Sequence, residues 1–304
     1  MMDIIGHRKI FYAVSGVLVL ASIVVFVLWG LRPGIDFSGG SILELEFSGV
    51  RPDVQELKSA TAGWSGGTIL FTPAGERGLL VRTEHLSEEK HQELVGLISG
   101  SEKGLFVETR FDSIGPTIGR ELKNRSFLSL VLVITLIVLY VAWAFRKVSR
   151  PIQSWKYGVV TVITLAHDVI LPVGVFAFLG RFYMIEVDTL FVTALLTIMG
   201  FSVHDTIVVF DRIREHLKAL KASDGFEGIV NQSVNETMVR SVNTSLTVLL
   251  ALFAILLFGG ESVGFFSLAL IIGIVAGTYS SIFIASPLLV TWYGFDRRAG
   301  SGKY

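Results

Sequence analysis

The sequence predicts a polytopic α-helical membrane protein. Six transmembrane helices are expected, with one extracytoplasmic α+β domain of ferredoxin-like βαββαβ order between the first and second. Three observations carry this. Hydrophobic residues make up 51% and charged residues 17% of the 304-residue chain, with mean hydropathy +0.63, where soluble domains carry about 25% charge. Six apolar runs approach the roughly 20 residues that a bilayer needs. One long polar stretch, residues 31–126, separates the first run from the second.

The apolar runs are 10–30, 127–145, 157–179, 189–210, 242–258 and 265–292. The last is long enough to tilt or to run past the bilayer. Orientation follows the basic residues of short loops. Arg8 and Lys9 precede the first run, and Arg146, Lys147, Arg150 and Lys156 join the second to the third. Arg212, Arg214, Lys218 and Lys221 join the fourth to the fifth, and Arg297, Arg298 and Lys303 follow the sixth. The opposite side has Arg181 in one short loop and no Lys or Arg in 259–264. Both termini are therefore expected in the cytosol. The first run is longer than a signal-peptide core and no A-x-A-like site follows it, so it reads as a signal anchor. The expected layout is an N-terminus and first helix (1–30), an outer domain (31–126), helices two to six (127–292) and a cytosolic tail (293–304). Within residues 212–236, Ile213, Leu217, Leu220, Phe226 and Ile229 alternate with basic residues, which predicts an amphipathic helix on the membrane surface.

The outer stretch reads strand by strand. Residues 42–47 alternate apolar and acidic, a half-buried strand. Pro52 is expected to open a helix over 53–61. Residues 68–71 and 78–82 read as a hairpin joined by Pro73-Ala74-Gly75. Ser87 starts a second helix, with Glu88 and Glu89 in the first turn where the helix dipole favours them. Residues 105–111 form the last strand. Gly-rich joints flank the domain: Asp36, Gly39 and Gly40 in the first, Gly115 and Pro116 in the second. They read either as rigid turns at the membrane surface or as hinges of a moving domain. Gly39-Gly40 lacks the Gly-Lys-Ser/Thr of a phosphate loop.

Zero net charge gives no sign of nucleic-acid binding, and the absence of Cys excludes disulfides and thiolate metal sites. No cofactor or metal site is expected. The chemistry lies in polar residues within the spans. Thr161, Thr164 and Asp168 share one face of the third, beside His167. Thr193, Thr197, Gly200 and His204 form a stripe on the fourth, beside Asp205. Arg240, Asn243, Thr244 and Thr247 line a face of the fifth. Such stripes usually face other helices, because lipid offers no partners.

Asp205 stands out, since a carboxylate inside a membrane is costly unless protonated, paired or hydrated. It lies roughly 9 Å in from Asp211, and Arg240 roughly 6 Å in from Glu236, at 1.5 Å per residue. Consecutive helices are often neighbours, so an Asp205–Arg240 pair is expected. It reads either as a static packing element or as a proton-coupling device, in which separation of the pair would favour the protonated acid. His167 and Asp168 leave the same two readings open. The charges from Asp211 to Glu215 read as a solvated helix end. Ala269, Gly273, Gly277, Ser281 and Ala285, each four apart, read as a packing ridge.

These residues resemble a known family. Gly34-Ile35-Asp36-Phe37-Ser38-Gly39-Gly40, Gly115-Pro116 with Gly119-Arg120-Glu121-Leu122, His167-Asp168, the run from Ser202 to Glu215, and Ser241-Val242-Asn243-Thr244-Ser245 look like the SecF family. That family is the smaller subunit of the SecD–SecF protein-export system, in the resistance-nodulation-division (RND) superfamily. The resemblance covers nearly the whole chain. It implies a non-enzymatic, proton-motive-force-coupled role in export across the cytoplasmic (inner) membrane, after the SecA ATPase has acted. Implied partners are SecD, the SecYEG channel, YajC, YidC and a translocating unfolded preprotein, within the lipid bilayer. It implies Asp205 and Arg240 as the proton-linked pair, supported by His204, Asn243, Thr247, His167 and Asp168. His204 departs from the Asn of many relatives.

Two rivals remain at this stage. One is half of an RND-type small-molecule exporter, which usually has twelve spans and larger outer domains. The other is an intramembrane aspartyl protease using Asp168 and Asp205, although no Gly-x-Gly-Asp motif is present and Asp168 sits deeper. His-Glu-x-x-His is also absent, which argues against a metalloprotease. A purely structural scaffold is the blandest reading.

Overall fold

The structure, a computed structural model, describes residues 2–100, 105–146, 152–219 and 225–301. Lys147, Arg150, Leu220, Lys221 and Lys303, which entered the loop expectations, lie outside those residues. The chain forms two compact units, Met1–Arg32 with Leu128–Tyr304, and Pro33–Phe127.

In the second unit a one-turn helix α2 (Ile35–Ser38) leads into β1 (Gly40–Phe47). Then follow α3 (Val54–Ala60), β2 (Leu70–Ala74), β3 (Gly78–Thr83), α4 (Glu88–Ser99) and β4 (Phe106–Ile114). All strand pairs are antiparallel, in the order β2-β3-β1-β4, as the split βαβ plan requires. Period-two alternation builds the core: Ser41, Leu43, Leu45 and Phe47 point to one buried face, joined by Leu79 and Val81. Leu57 of α3 and Leu94 and Ile98 of α4 close it. Side-chain caps set the helix starts. Asp53 accepts from the Gln55 amide at 2.8 Å, and Ser87 from the Lys90 amide at 3.5 Å.

Two boundaries differ from expectation. Pro52 precedes the Asp53 cap rather than opening α3. Pro73 lies within β2, opposite Leu79, so the hairpin turn moves to residues 75–77. β2 is an edge strand, where a missing N–H breaks no ladder bond.

Among the described residues six helices are long and apolar enough to cross a membrane, by length and composition. Five are α1 (Arg8–Trp29), α5 (Pro116–Ala144), α6 (Ser154–Phe182), α7 (Thr189–Ala219) and α8 (Phe226–Phe258). The sixth joins α9 (Glu261–Ser280), a π-turn (Ser281–Ala285) and α10 (Ser286–Ser301). Small residues allow close approach between neighbours. A Cβ on Gly174 of α6 would overlap Ser22 of α1, and one on Gly273 of α9 would overlap Ile198 of α7. One on Gly277 would lie 3.1 Å from the Cβ of Ser202. The ridge of α9 therefore faces α7.

The described residues of 212–236 do not form a separate surface helix. Residues 212–219 are the end of α7 and residues 226–236 the start of α8. Ile213, Phe226, Ile229, Val230 and Val234 are buried, and Ile4 and Ile5 join the same core. Apolar side chains that pack on protein need no lipid surface. The N-terminal segment is held by α8: the Met2 amide donates to Asn235 Oδ1 at 2.9 Å and the Ile4 amide to Asn231 Oδ1 at 3.0 Å. Asp211, Arg212, Arg214 and Glu215, near the end of α7, are ion-paired. Arg212 meets Glu236 of α8 and Glu215 (2.6 Å), and Arg214 meets Asp211 (2.6 Å).

Candidate functional site

α7 presents polar groups on two faces. Ser202, Asp205 and Thr206 are buried. Thr193, Thr197, Gly200 and His204 are exposed. Adjacent helical residues point about 100° apart at 3.6 residues per turn, so His204 turns outward while Asp205 turns in. α8 divides in the same way. Ser241 and Ser245 are buried, and Arg240, Asn243, Thr244 and Thr247 are exposed.

Asp205 is 3% exposed. Ser281 of the π-turn donates to its Oδ2 at 3.5 Å. The buried hydroxyl of Ser241 on α8 also interacts with the Asp205 carboxylate, short of the geometry of a full hydrogen bond. Among those residues Arg240 forms no ion pair, and the expected Asp205–Arg240 bridge is not made in this structure. Rise per residue sets depth along a helix but not rotation, and α8 turns Ser241 rather than Arg240 toward the interior.

Asp168 is more tightly held. It is fully buried. Its Oδ2 accepts from Ser202 of α7 at 2.5 Å and from Ser280 of α9 at 2.7 Å, while Oδ1 lies 2.8 Å from His167 Nδ1. Both carboxylate oxygens are thus engaged, which leaves no open catalytic face of the kind an aspartyl protease requires. Thr161 and Thr164 on the same face of α6 donate to carbonyls one turn back, at 2.8 and 3.1 Å.

The two Gly-rich joints pack on each other. Gly39 and Gly40 have φ of 75° and 125°, the left-handed region that favours glycine. A Cβ on Gly39 would lie 3.0 Å from Pro116 Cα, and one on Gly119 would lie 2.9 Å from the Gly39 nitrogen. Gly115 has open space around its Cα, and Asp36 lies in the single turn of α2. Among the described residues no cluster of His, Asp and Glu could hold a metal ion.

Sequence reasoning missed Ser280, and it read Ser281 as packing. The available signal was a pair of hydroxyls amid an apolar run, at the depth of two carboxylates.

Residues 98–294 match the family described as protein export membrane protein SecD/SecF, C-terminal. The chain belongs to the SecD/SecF family. Residues 30–49, which contain Gly39 and Gly40, match the SecD/SecF GG motif. A protein translocase subunit SecF from Thermobaculum terrenum is 45% identical, over 97% of this chain and 95% of that protein. One from Synechocystis is 36% identical, over 96% and 94%. A crystal structure of SecDF, a translocon-associated membrane protein from Thermus thermophilus, superposes with TM-score 0.81 at 34% identity. This chain spans 39% of the length of that SecDF chain while 96% of its own length is covered. The similarity thus runs through both the outer domain and the membrane helices.

Proposed function

We propose that this chain is the SecF-type accessory subunit that works with SecD to promote proton-driven protein export across the cytoplasmic membrane. Asp205 is its coupling carboxylate. The observation that carries the proposal is a carboxylate 3% exposed within a membrane-spanning helix, without a cationic partner among the described residues. Such a group binds and releases protons at modest structural cost, because no salt bridge must be broken first. A proton crossing the full membrane potential delivers about 2.3 kcal/mol per 100 mV.

Two polar stripes support association with SecD. The exposed hydroxyls of Thr193, Thr197 and Thr247 donate to carbonyls of their own helices, whereas His204 on α7, and Arg240 with Asn243 on α8, are exposed at depths where lipid would leave their polar groups unmatched. A partner helix bundle satisfies them. Arg240 then acts across that interface rather than within the chain. SecYEG, YajC and YidC are further partners, and an unfolded preprotein is the cargo. The basic residues flanking the helices support a reading with both termini in the cytosol. The role is mechanical, with no bond-making chemistry.

The test is export of a secreted reporter in cells depleted of the native subunit. Wild type and Asp205→Asn are compared at matched membrane levels. Normal assembly with export no better than in depleted cells is expected, and wild-type export by the variant would refute the coupling role.

A further inference from the structure

We infer that His167 and Asp168 form a second proton-binding site, which exchanges its proton with Asp205. This rests on the coupling role proposed for Asp205. Three observations lead to it.

First, the imidazole is left with an unmatched nitrogen. His167 is 6% exposed, its Nδ1 faces Asp168 Oδ1 at 2.8 Å, and its Nε2 is buried with no hydrogen-bond partner among the described residues. With the Nδ1 proton directed at Asp168, Nε2 is a bare acceptor. A buried polar atom without a partner is destabilising, so Nε2 is a site where a proton would be accommodated.

Second, the charge arithmetic favours uptake. Ionised Asp168 beside neutral imidazole carries one net negative charge. One added proton makes the pair neutral, whether it rests on Nε2 or on the carboxyl. Two hydroxyls, Ser202 and Ser280, hold the carboxylate in either state, because a hydroxyl can donate or accept.

Third, the same two elements that hold Asp168 also hold Asp205. α7 gives Ser202 to Asp168 and, three residues on along the same face, carries Asp205. That step is roughly 4.5 Å along the axis. The sixth span gives Ser280 to Asp168 and the adjacent Ser281 to Asp205. The π-turn begins between these serines, and it is the local irregularity that aims consecutive hydroxyls at two carboxylates. Such turns recur at functional sites.

The other groups around the dyad are few. α9 lays the Tyr279 ring over His167, centroids 6.2 Å apart. α1 contributes Ser15, which donates to Tyr279 at 3.3 Å. α7 contributes Asp205, while His204 turns outward. Asp296 of α10 is engaged with Lys156, three turns away on α6. Among the described residues no Lys or Arg reaches the dyad. The proton moves between Asp205 and the dyad with no other bond made or broken.

The experiment is carbodiimide labelling, which modifies protonated carboxyls, of the full chain in native membranes across a pH series. Mass spectrometry of the peptides reads Asp205 and Asp168 separately. In Asp168→Asn and His167→Asn the labelling midpoint of Asp205 is expected to move by about one pH unit, the scale of coupled titration. In Asp205→Asn the midpoint of Asp168 moves likewise. His167→Asn keeps a donor near the Nδ1 position and deletes Nε2, so it serves if Asp168→Asn fails to accumulate. If neither variant on α6 accumulates, the reciprocal readout in Asp205→Asn decides. An Asp205 profile unmoved in an accumulating variant, or an Asp168 profile unmoved in Asp205→Asn, would overturn the inference. The export assay fails or succeeds independently of this labelling, so loss of the coupling role and loss of the shared proton are told apart.

Discussion

Ser281 Oγ lies 3.5 Å from Asp205 Oδ2, at the outer limit of a hydrogen bond, while the same hydroxyl donates to the Thr278 carbonyl at 3.0 Å. Asp205 is therefore buried with weak compensation. Asp205→Asn removes a charge that no ion pair among the described residues neutralises. The thermal stability of the purified protein should be unchanged or raised by about 1 kcal/mol. Removing one partner of a true buried ion pair would instead cost about 3–5 kcal/mol. A loss of that size in a thermal melt would show that a cation does hold Asp205.

Arg240 should behave in the opposite way. It is exposed and makes no ion pair among the described residues. Arg240→Leu should leave the stability of the isolated chain within about 0.5 kcal/mol of wild type. Its cost should appear in association. Losing one charged contact worth about 1.5 kcal/mol weakens binding about tenfold. Co-purification with tagged SecD measures this. Equal recovery of SecD with wild type and variant would remove Arg240 from the interface.

Local periodicity made much of this legible in advance. The six apolar runs and the alternation of Leu43, Leu45 and Phe47 are set by residues close in sequence, and burial follows them directly. Rotation of one helix about its axis was not legible. Arg240 and Ser241 are neighbours in sequence, and which of them faces Asp205 depends on how α8 packs against α7 and α9. The π-turn was hidden for the same reason, since Ser281 and Ala285 keep the four-residue spacing of an ordinary ridge. The fate of Ile213, Phe226 and Val230 also depended on tertiary partners, here Ile4 and Ile5. An amphipathic pattern says that a face is covered without saying what covers it.

The α7–α9 contact sets the geometry of both carboxylates, and it should be sensitive to volume. A Cβ on Gly273 would overlap the side chain of Ile198. Gly273→Val should destabilise the membrane unit by about 1–3 kcal/mol, the usual cost of overpacking. Pairing it with Ile198→Ala should recover much of that loss. Thermal melts of the two single variants and the double variant form the cycle, and strict additivity would show that the two residues do not share a contact.

The outer domain carries its own acid response. The Glu88 carboxyl lies below its ordinary value of 4.5, chiefly because Gln92 donates to it, at 2.9 Å, with slight desolvation opposing and His91 adding to the lowering. A depressed carboxylate adds stability above its unfolded value and loses it as pH falls through the folded value. This contribution therefore fades on the acid side of 4.5. Carbon-13 NMR titration should place the Glu88 midpoint below 4.5 in wild type and return it toward 4.5 in Gln92→Ala. An identical midpoint in both proteins would sever the link.

The last prediction concerns the junction between Gly39 and Pro116. At Gly39 an L side chain meets two penalties: φ is 75°, and a Cβ would sit 3.0 Å from Pro116 Cα and 3.3 Å from the Ile114 carbonyl. Both neighbours are backbone, so neither can rotate away. Gly39→Ala should cost about 1–3 kcal/mol of outer-domain stability. Gly115→Ala, at a position with open space and no positive φ, should cost about 0.5 kcal/mol or less. The contrast separates a tie from a hinge. If this junction must flex in export, Gly115→Ala would impair export while leaving stability intact. If it is a fixed tie, export would follow stability, with Gly39→Ala defective and Gly115→Ala close to wild type. The close packing of Gly39, Pro116 and Gly119 favours the tie, and hydrogen exchange of residues 35–40 should accordingly be slow in wild type and fast in Gly39→Ala.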